Sequence, residues 1–244
     1  MKAIIFAAGL GTRLKPLTDR LPKALVPVGG RPLLWHVIRK LQDAGVDDFV
    51  INVHHFADLI SDYLELEDWF GARIELSVEE EMPLETGGGI RKAAELLQDC
   101  GSFFAHNVDI LSNADLRAFA AAARPDALAT LLVSSRQTQR YLLFDRDMRL
   151  VGWTNIATGE VRSPYKDLRV EDCSKYAFAG IHYISDKILP LLQEMPDRFS
   201  IMDFYLQVAD EFPIYGYAPE GLQIVDVGKP DTLEKARALF EDNR

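Results

Sequence analysis

The sequence predicts an α/β protein: a mostly parallel sheet covered by helices on both faces, with a smaller β insert. Two observations over residues 1–135 carry the first part. Short apolar runs rich in β-branched and aromatic residues alternate with amphipathic stretches of helical period, which is the pattern of βαβ units. The apolar runs are nearly continuous, as expected of strands buried on both faces. The third observation is a change of character after residue 136, where short runs face each other across a tight turn.

Taken in order, residues 1–6 (MKAIIF) form a buried opening strand. Residues 31–44 (RPLLWHVIRKLQDA) keep a helical period and stop at Gly45. Strands follow at 49–53, 72–78, 103–108 and 128–133, with helices at 57–66, 90–97 and 115–123 between them. Residues 141–145 and 150–153 flank Arg146-Asp147-Met148-Arg149 as a hairpin. Residues 155–172 are polar and carry Gly159 and Pro164, so they read as a loop or flap. Residues 176–184 are a strand, 188–195 and 201–211 are helical, and 224–228 run as a short strand into a turn. A last amphipathic helix covers 231–240, with Asp231 as its N-cap. Ser200, followed by Asp203 at the third helical position, marks another helix start. No repeat, low-complexity tract or linker interrupts the chain, so one domain over residues 1–244 is expected, in two halves of about 1–135 and 136–244.

The 244 residues are 48% hydrophobic and 26% charged, enough for a sizeable core. No apolar run approaches the ~20 residues that span a bilayer, and Met1-Lys2 leads straight into a strand without a signal-peptide layout. Cys100 and Cys173 show no CxxC spacing and read as reduced thiols. The expectation is a cytoplasmic protein with no membrane partner. A net charge of −10 argues against nucleic acid as a partner. It also requires that any site for an anionic ligand concentrate its cations locally.

The stretch after the first strand does so. Ala7-Ala8-Gly9-Leu10-Gly11-Thr12-Arg13 places small residues, a hydroxyl and a cation at the strand end, and Pro22-Lys23 adds a second cation. Glycines here let a backbone approach a phosphate closely. The dinucleotide fingerprint GxGxxG fails, because Leu14 stands at the third glycine, and the P-loop GxxxxGK[ST] is absent. What remains is a loop whose N–H groups hold a nucleotide while Arg13 and Lys23 neutralise its phosphates, or else a plain glycine turn with surface cations. Leu84-Glu85-Thr86-Gly87-Gly88-Gly89 is a second glycine loop, ahead of a helix. Three glycines expose backbone donors and leave room for a flat ring; a simple helix entry needs one. Asp109 and Asp226 each end a strand, either capping a turn or supplying hard oxygen to a metal. His106 reads as a packed core histidine, and His54-His55 have no third ligand at zinc spacing.

Gly9-Leu-Gly11-Thr12-Arg13-Leu-Lys-Pro-Leu-Thr18 followed by Pro22-Lys23-Ala-Leu25 resembles the sugar-1-phosphate nucleotidylyltransferases, or NDP-sugar pyrophosphorylases. The resemblance runs over most of the chain and is strongest in the first ~110 residues and at the Asp226 turn. It implies a Rossmann-like, glycosyltransferase-A-like fold with a small sugar-binding β insert, in which the first half holds the nucleotide and the second the sugar. It implies that Ala7, Ala8, Gly9, Gly11, Thr12, Glu85, Gly87, Gly88 and Asn107 bind a nucleoside triphosphate. Arg13 would contact the departing pyrophosphate, Lys23 the reacting phosphates, Asp109 and Asp226 a Mg²⁺ ion, and Ala179 and Gly180 the sugar. The ETGGG form resembles the subgroup joining UTP to N-acetylmuramate 1-phosphate and, less closely, guanylyltransferases of mannose or heptose 1-phosphate.

Two departures stand out. The family usually has Asn-Gly-Asp where this chain has Asn107-Val108-Asp109. Many members carry Glu-Lys-Pro near the position of Gly152-Trp153-Thr154-Asn155. Trp153 and Asp203 read as packing and helix-start residues first, and Lys166 and Lys175 as surface lysines. The implied partners are a nucleoside triphosphate and a sugar 1-phosphate, in a monomer or homo-oligomer. The alternatives are a cytidylyltransferase acting on choline phosphate or another small phosphomonoester, and a non-catalytic nucleotide-sugar sensor.

Overall fold

The computed structural model describes residues 1–228 and 230–241, the last five by their backbone only. From the N-terminus the elements are β1 (Lys2–Phe6), β2 (Pro27–Val28), β3 (Arg31–Pro32), α1 (Leu33–Asp43), β4 (Asp48–Val53), α2 (Ala57–Leu66), β5 (Arg73–Val78), α3 (Glu85–Lys92), α4 (Ala94–Leu97), β6 (Ser102–Asn107), β7 (Ile110–Ser112), α5 (Leu116–Ala121) and β8 (Ala129–Ser134). They continue with β9 (Arg140–Phe144), β10 (Leu150–Asn155), β11 (Glu160–Arg162), β12 (Ser174–Ser185), α6 (Ile188–Leu192), α7 (Ile201–Val208), β13 (Ile214–Tyr217), β14 (Ile224–Asp226) and α8 (Pro230–Glu241).

One mixed sheet runs in the order β11-β10-β9-β12-β6-β1-β4-β5. Its first-half strands are parallel: β1 lies between β4 and β6, and β4 pairs with β5. Their apolar residues fall alternately on two cores. Ala3, Ile5, Phe49, Ile51 and Phe104 belong to one, and Ile4, Val50, Phe103 and Ala105 to the other. A strand coated on both faces has no polar side, which is why these runs are continuous in sequence. The parallel strands end together on one edge, and the loops leaving that edge build the site.

The antiparallel β12 joins the halves, pairing with β6, β8 and β9. The predicted hairpin is β9–β10, which pair antiparallel with a bulge between Leu150 and Gly152. Several expectations change. The loop over 155–172 contains β11, whose Glu160 pairs with Asn155 of β10. The strand at 128–133 leaves the parallel run: β8 is antiparallel to β12 and parallel to β13, a strand the sequence pattern did not reveal. The helix expected at 90–97 begins at Glu85 and takes all three glycines into its body. The last helix starts at Pro230, so Asp231 lies inside its first turn instead of capping it. Ser200 does cap α7, its side chain accepting from Met202 N–H at 3.2 Å.

His106 and His182 lie within the sheet, 0% and 1% exposed. His106 donates from Nδ1 to Asn107 O at 2.8 Å, and His182 Nδ1 is hydrogen-bonded to the buried Tyr205 hydroxyl at 3.2 Å. Burial holds both rings neutral, lowering His106 to about 4 and His182 to about 3.

Candidate active site

The loop after β1 continues the ladder for one more residue, Ala7 N–H donating to Asn52 O at 2.8 Å, and then turns away. Gly11 makes the turn at φ 61°, and its carbonyl accepts from Leu14 N–H and from the Thr18 hydroxyl, both at 2.8 Å. A Cβ here would lie 2.8 Å from Thr18 Cγ2 and 3.2 Å from Lys23 Cβ. The glycine is therefore required twice, by its conformation and by the close approach of the segment carrying Lys23. Three 3₁₀ turns follow, of which Thr12–Leu14 carries Arg13 and Lys23–Leu25 carries Lys23.

Lys23 is 8% exposed. A buried ammonium needs a carboxylate, and Asp109 Oδ2 supplies it. Asp109 lies between β6 and β7, and its carbonyl accepts from Val227 N–H at 2.8 Å. Ile110 pairs with Asp226 in the β7–β14 ribbon, so residues 116 positions apart in sequence become backbone neighbours. Gly228 closes the group: a Cβ on it would stand 2.7 Å from both Arg13 Nη2 and Asp226 Oδ1. Arg13 makes no hydrogen bond or ion pair among the described residues, so its guanidinium keeps its donors for a ligand. Val108 meets the turn without strain, since its φ is not positive. It is 5% exposed, packs in the core and donates to Phe6 O at 3.2 Å.

These groups border a cleft of about 480 Å³. Of the residues singled out in the sequence, Ala8, Gly9, Gly11, Thr12, Arg13, Lys23, Glu85, Asn107 and Asp109 line it. Asn107 Oδ1 is buried there without a protein partner. Asp226 stands behind Gly228, at the rim. Ala7 and Ala179 are buried in the core. Gly180, at φ 76°, lets β12 pass the floor of the cleft, where a Cβ would lie 2.7 Å from Ile110 and 3.1 Å from Asn107 Nδ2. Gly87 and Gly88 also face inward: both N–H groups donate to Phe199 O, at 3.0 and 3.2 Å, and are spent within the protein. Their missing side chains let α3 lie against residues 197–199, where a Cβ on Gly88 would be 2.3 Å from Asp197 O. Those backbone donors, expected to face a ligand, are thus consumed in packing, while Glu85 and Thr86 reach the cleft.

Sequence reasoning missed Asn52, Glu79 and Arg198, which line the same cleft. Glu79 is 2% exposed. Its carboxylate accepts from Asn52 Nδ2 and from Leu84 N–H, each at 2.8 Å, which ties the glycine segment to β4. Asn52 and Glu79 sit at the carboxyl ends of β4 and β5, where open parallel sheets place ligands, and that rule was the available signal. Arg198 donates from Nε to Glu85 Oε1 at 3.2 Å, and Glu85 is held at φ 65°, costly for a side chain with a Cβ. Nothing local in the sequence pointed to Arg198.

The model of the family described as nucleotidyl transferase matches residues 2–144, more than half of the chain. The chain belongs to the nucleotidyl transferase family. An N-acetylmuramate alpha-1-phosphate uridylyltransferase of Caulobacter vibrioides is 35% identical over 247 residues, covering 98% of this chain and 97% of that protein. A mannose-1-phosphate guanyltransferase of Candida albicans is 30% identical over 246 residues, and the match spans 64% of that longer protein. The solved structure of HddC from Yersinia pseudotuberculosis, complexed with GMP-PN, superposes with a TM-score of 0.76 at 23% identity, covering 98% of this chain and 99% of that one. This nucleotidyl transferase therefore has the glycosyltransferase-A-like fold, a mixed sheet with helices on its faces. None of its helices, among the described residues, is long and apolar enough to cross a membrane.

Proposed function

We propose that this enzyme transfers a uridylyl group from UTP to a sugar 1-phosphate of the N-acetylmuramate type, releasing pyrophosphate, in the cytoplasm and for cell-envelope precursor synthesis. The observation that carries the reading is the gathering of Arg13, Lys23 and Asp109 at one cleft, with Asp226 beside its Gly228 wall. The choice of base and sugar rests on end-to-end similarity to a uridylyltransferase of that specificity.

An oxygen of the sugar 1-phosphate attacks the α-phosphorus of the triphosphate. The new P–O bond forms as the bond to the bridging α,β-oxygen breaks, and that electron pair leaves with pyrophosphate. The attacking phosphate is already an anion, so no side chain need remove a proton. Catalysis is then positioning and charge neutralisation. The loop from Ala8 to Thr12 lets the triphosphate lie against backbone. Lys23, freed from Asp109, turns to the reacting phosphates, and Arg13 takes the departing pyrophosphate.

Two carboxylates on adjoining backbone segments fit a Mg²⁺ ion that completes its shell with phosphate and water, once Lys23 leaves Asp109. Asp109 and Asp226 would hold it, and it would supply charge neutralisation between the two reacting phosphates. Similarity to mannose-1-phosphate guanyltransferases supports GTP with mannose or heptose 1-phosphate as a second reading.

The test is pyrophosphate release with Mg²⁺, crossing UTP, GTP, CTP, ATP and dTTP against sugar 1-phosphates and choline phosphate. Turnover with UTP and N-acetylmuramate 1-phosphate is expected. Turnover only with GTP and a neutral sugar would move the enzyme to the second reading. Tight nucleotide binding with no turnover on any acceptor would make it a sensor.

A further inference from the structure

A second cleft of about 570 Å³ opens beside β9, β10, β12 and α7. Three arginines line it: Arg136 from the segment after β8, Arg140 from the start of β9, and Arg162 from β11. Trp153 and Phe178 give it apolar walls. Arg162 is already engaged, lying 5.3 Å above the Trp153 ring and paired with Asp203 at 2.6 Å and Glu160 at 3.2 Å. Arg136 makes one hydrogen bond, to Phe178 O at 3.3 Å. The Arg140 side chain has no partner among the described residues. Two cations with most of their donors free thus sit in one concavity of a chain whose net charge is −10.

The cleft adjoins the catalytic one. Phe178 lines the second, while Gly180, two residues along β12, packs against Asn107 of the first. Two residues of chain span at most ~7 Å, about the width of a sugar ring. Ser200 and Arg198 relate the clefts in the same way on the opposite wall. A sugar whose 1-phosphate meets Lys23 therefore directs its far substituents toward the arginines.

We propose that Arg136 and Arg140, with Arg162 as the wall behind them, form a carboxylate subsite that selects acceptor sugar phosphates bearing a second acid group. The inference rests on the transferase reading above. A guanidinium fork matches both oxygens of a carboxylate, and the apolar walls strengthen that pairing over one in open water. A neutral sugar leaves both forks hydrated and gains nothing from them. Asp203 and Glu160 neutralise Arg162, so discrimination falls to Arg136 and Arg140.

The experiment compares N-acetylmuramate 1-phosphate with N-acetylglucosamine 1-phosphate, which lacks the lactyl carboxylate. Two readouts are taken: kcat/KM for pyrophosphate release with UTP, and equilibrium binding of each sugar phosphate by calorimetry. The native protein should prefer the acid at least about tenfold in both. The preference should fall to about twofold or less in the Arg136→Gln/Arg140→Gln double variant, with UTP binding retained as proof of folding. A native protein that turns over both acceptors equally overturns the subsite and keeps the transferase. A preference undiminished in the double variant also overturns the subsite. Preferential binding of the acid without turnover keeps the subsite and overturns the transferase.

Discussion

Two neighbouring positions on β12 face different problems. Near Gly180 it borders a cleft built from parallel strand ends and backbone, where Ala8, Gly9 and Gly11 offer almost no side chain and two cations. Near Phe178 it borders a cleft built from side chains, with three arginines and two aromatic rings drawn from separate segments. In the proposed reading the first recognises what every nucleoside triphosphate has, a chain of phosphates, and can be made of a contiguous loop. The second must recognise what differs between acceptors, so it draws on long side chains brought together from across the fold. Catalytic defects should therefore concentrate in the first cleft and selectivity defects in the second.

The sharpest test of that division is Asp226→Asn. Asp226 is exposed and neutralises no buried partner, so the fold should survive while turnover drops about 10²–10³-fold, measured as steady-state pyrophosphate release beside a circular-dichroism melt. Native-like turnover would remove Asp226 from the mechanism. Asp109→Asn should match it in rate but also lower the melting temperature, because it strips the buried Lys23 of its carboxylate. Lys23→Ala should cost roughly 10²-fold in kcat for every acceptor alike. A loss confined to acidic acceptors would blur the distinction between the clefts.

Smaller effects separate the glycines. Gly88→Ala pushes a methyl to within 2.3 Å of Asp197 O and should cost about 1–3 kcal/mol by urea denaturation. Gly9→Ala meets nothing within 4 Å and should leave stability within about 0.5 kcal/mol. If Gly9→Ala nonetheless weakens UTP binding, the open side of Gly9 is where the triphosphate lies. A pH-dependent effect belongs to β6 and β12. Below about pH 6.5 the unfolded chain protonates both His106 and His182. The folded protein keeps them neutral until about 4 and about 3. Stability should therefore fall as the pH drops through that window, by about 1.4 kcal/mol per pH unit for each histidine, and level off below it. Urea midpoints unchanged between pH 6.5 and 4.5 would show that the rings are not held neutral.

Much of the first cleft was legible because its parts are local. The run from Gly9 to Arg13 is one turn on one strand, and a residue pattern suffices to find it. The continuous apolar strands were readable for the same reason, since burial on both faces is written into each strand separately. The glycines of the second loop were harder. Three in a row signal close approach, but the sequence cannot say to what. The approach is to Phe199 and Asp197, more than a hundred positions away, and it consumes donors that a ligand was expected to use. Glu79 was hidden among Glu80 and Glu81, identical in composition and separable only by burial.

The sequence by itself determined that the chain is α/β, that its first strand ends in a turn of small residues, and that cations stand beside it. These follow from local sterics and from the period of apolar residues, which need no knowledge of distant chain. The tertiary structure alone decided that Glu79 and not its neighbours is buried, that Gly87 and Gly88 pack against Phe199, and that Arg136, Arg140 and Arg162 share a cleft. Those facts depend on which strands pair and which loops cross, and side-chain chemistry fixes such long-range choices only through the packing of the whole.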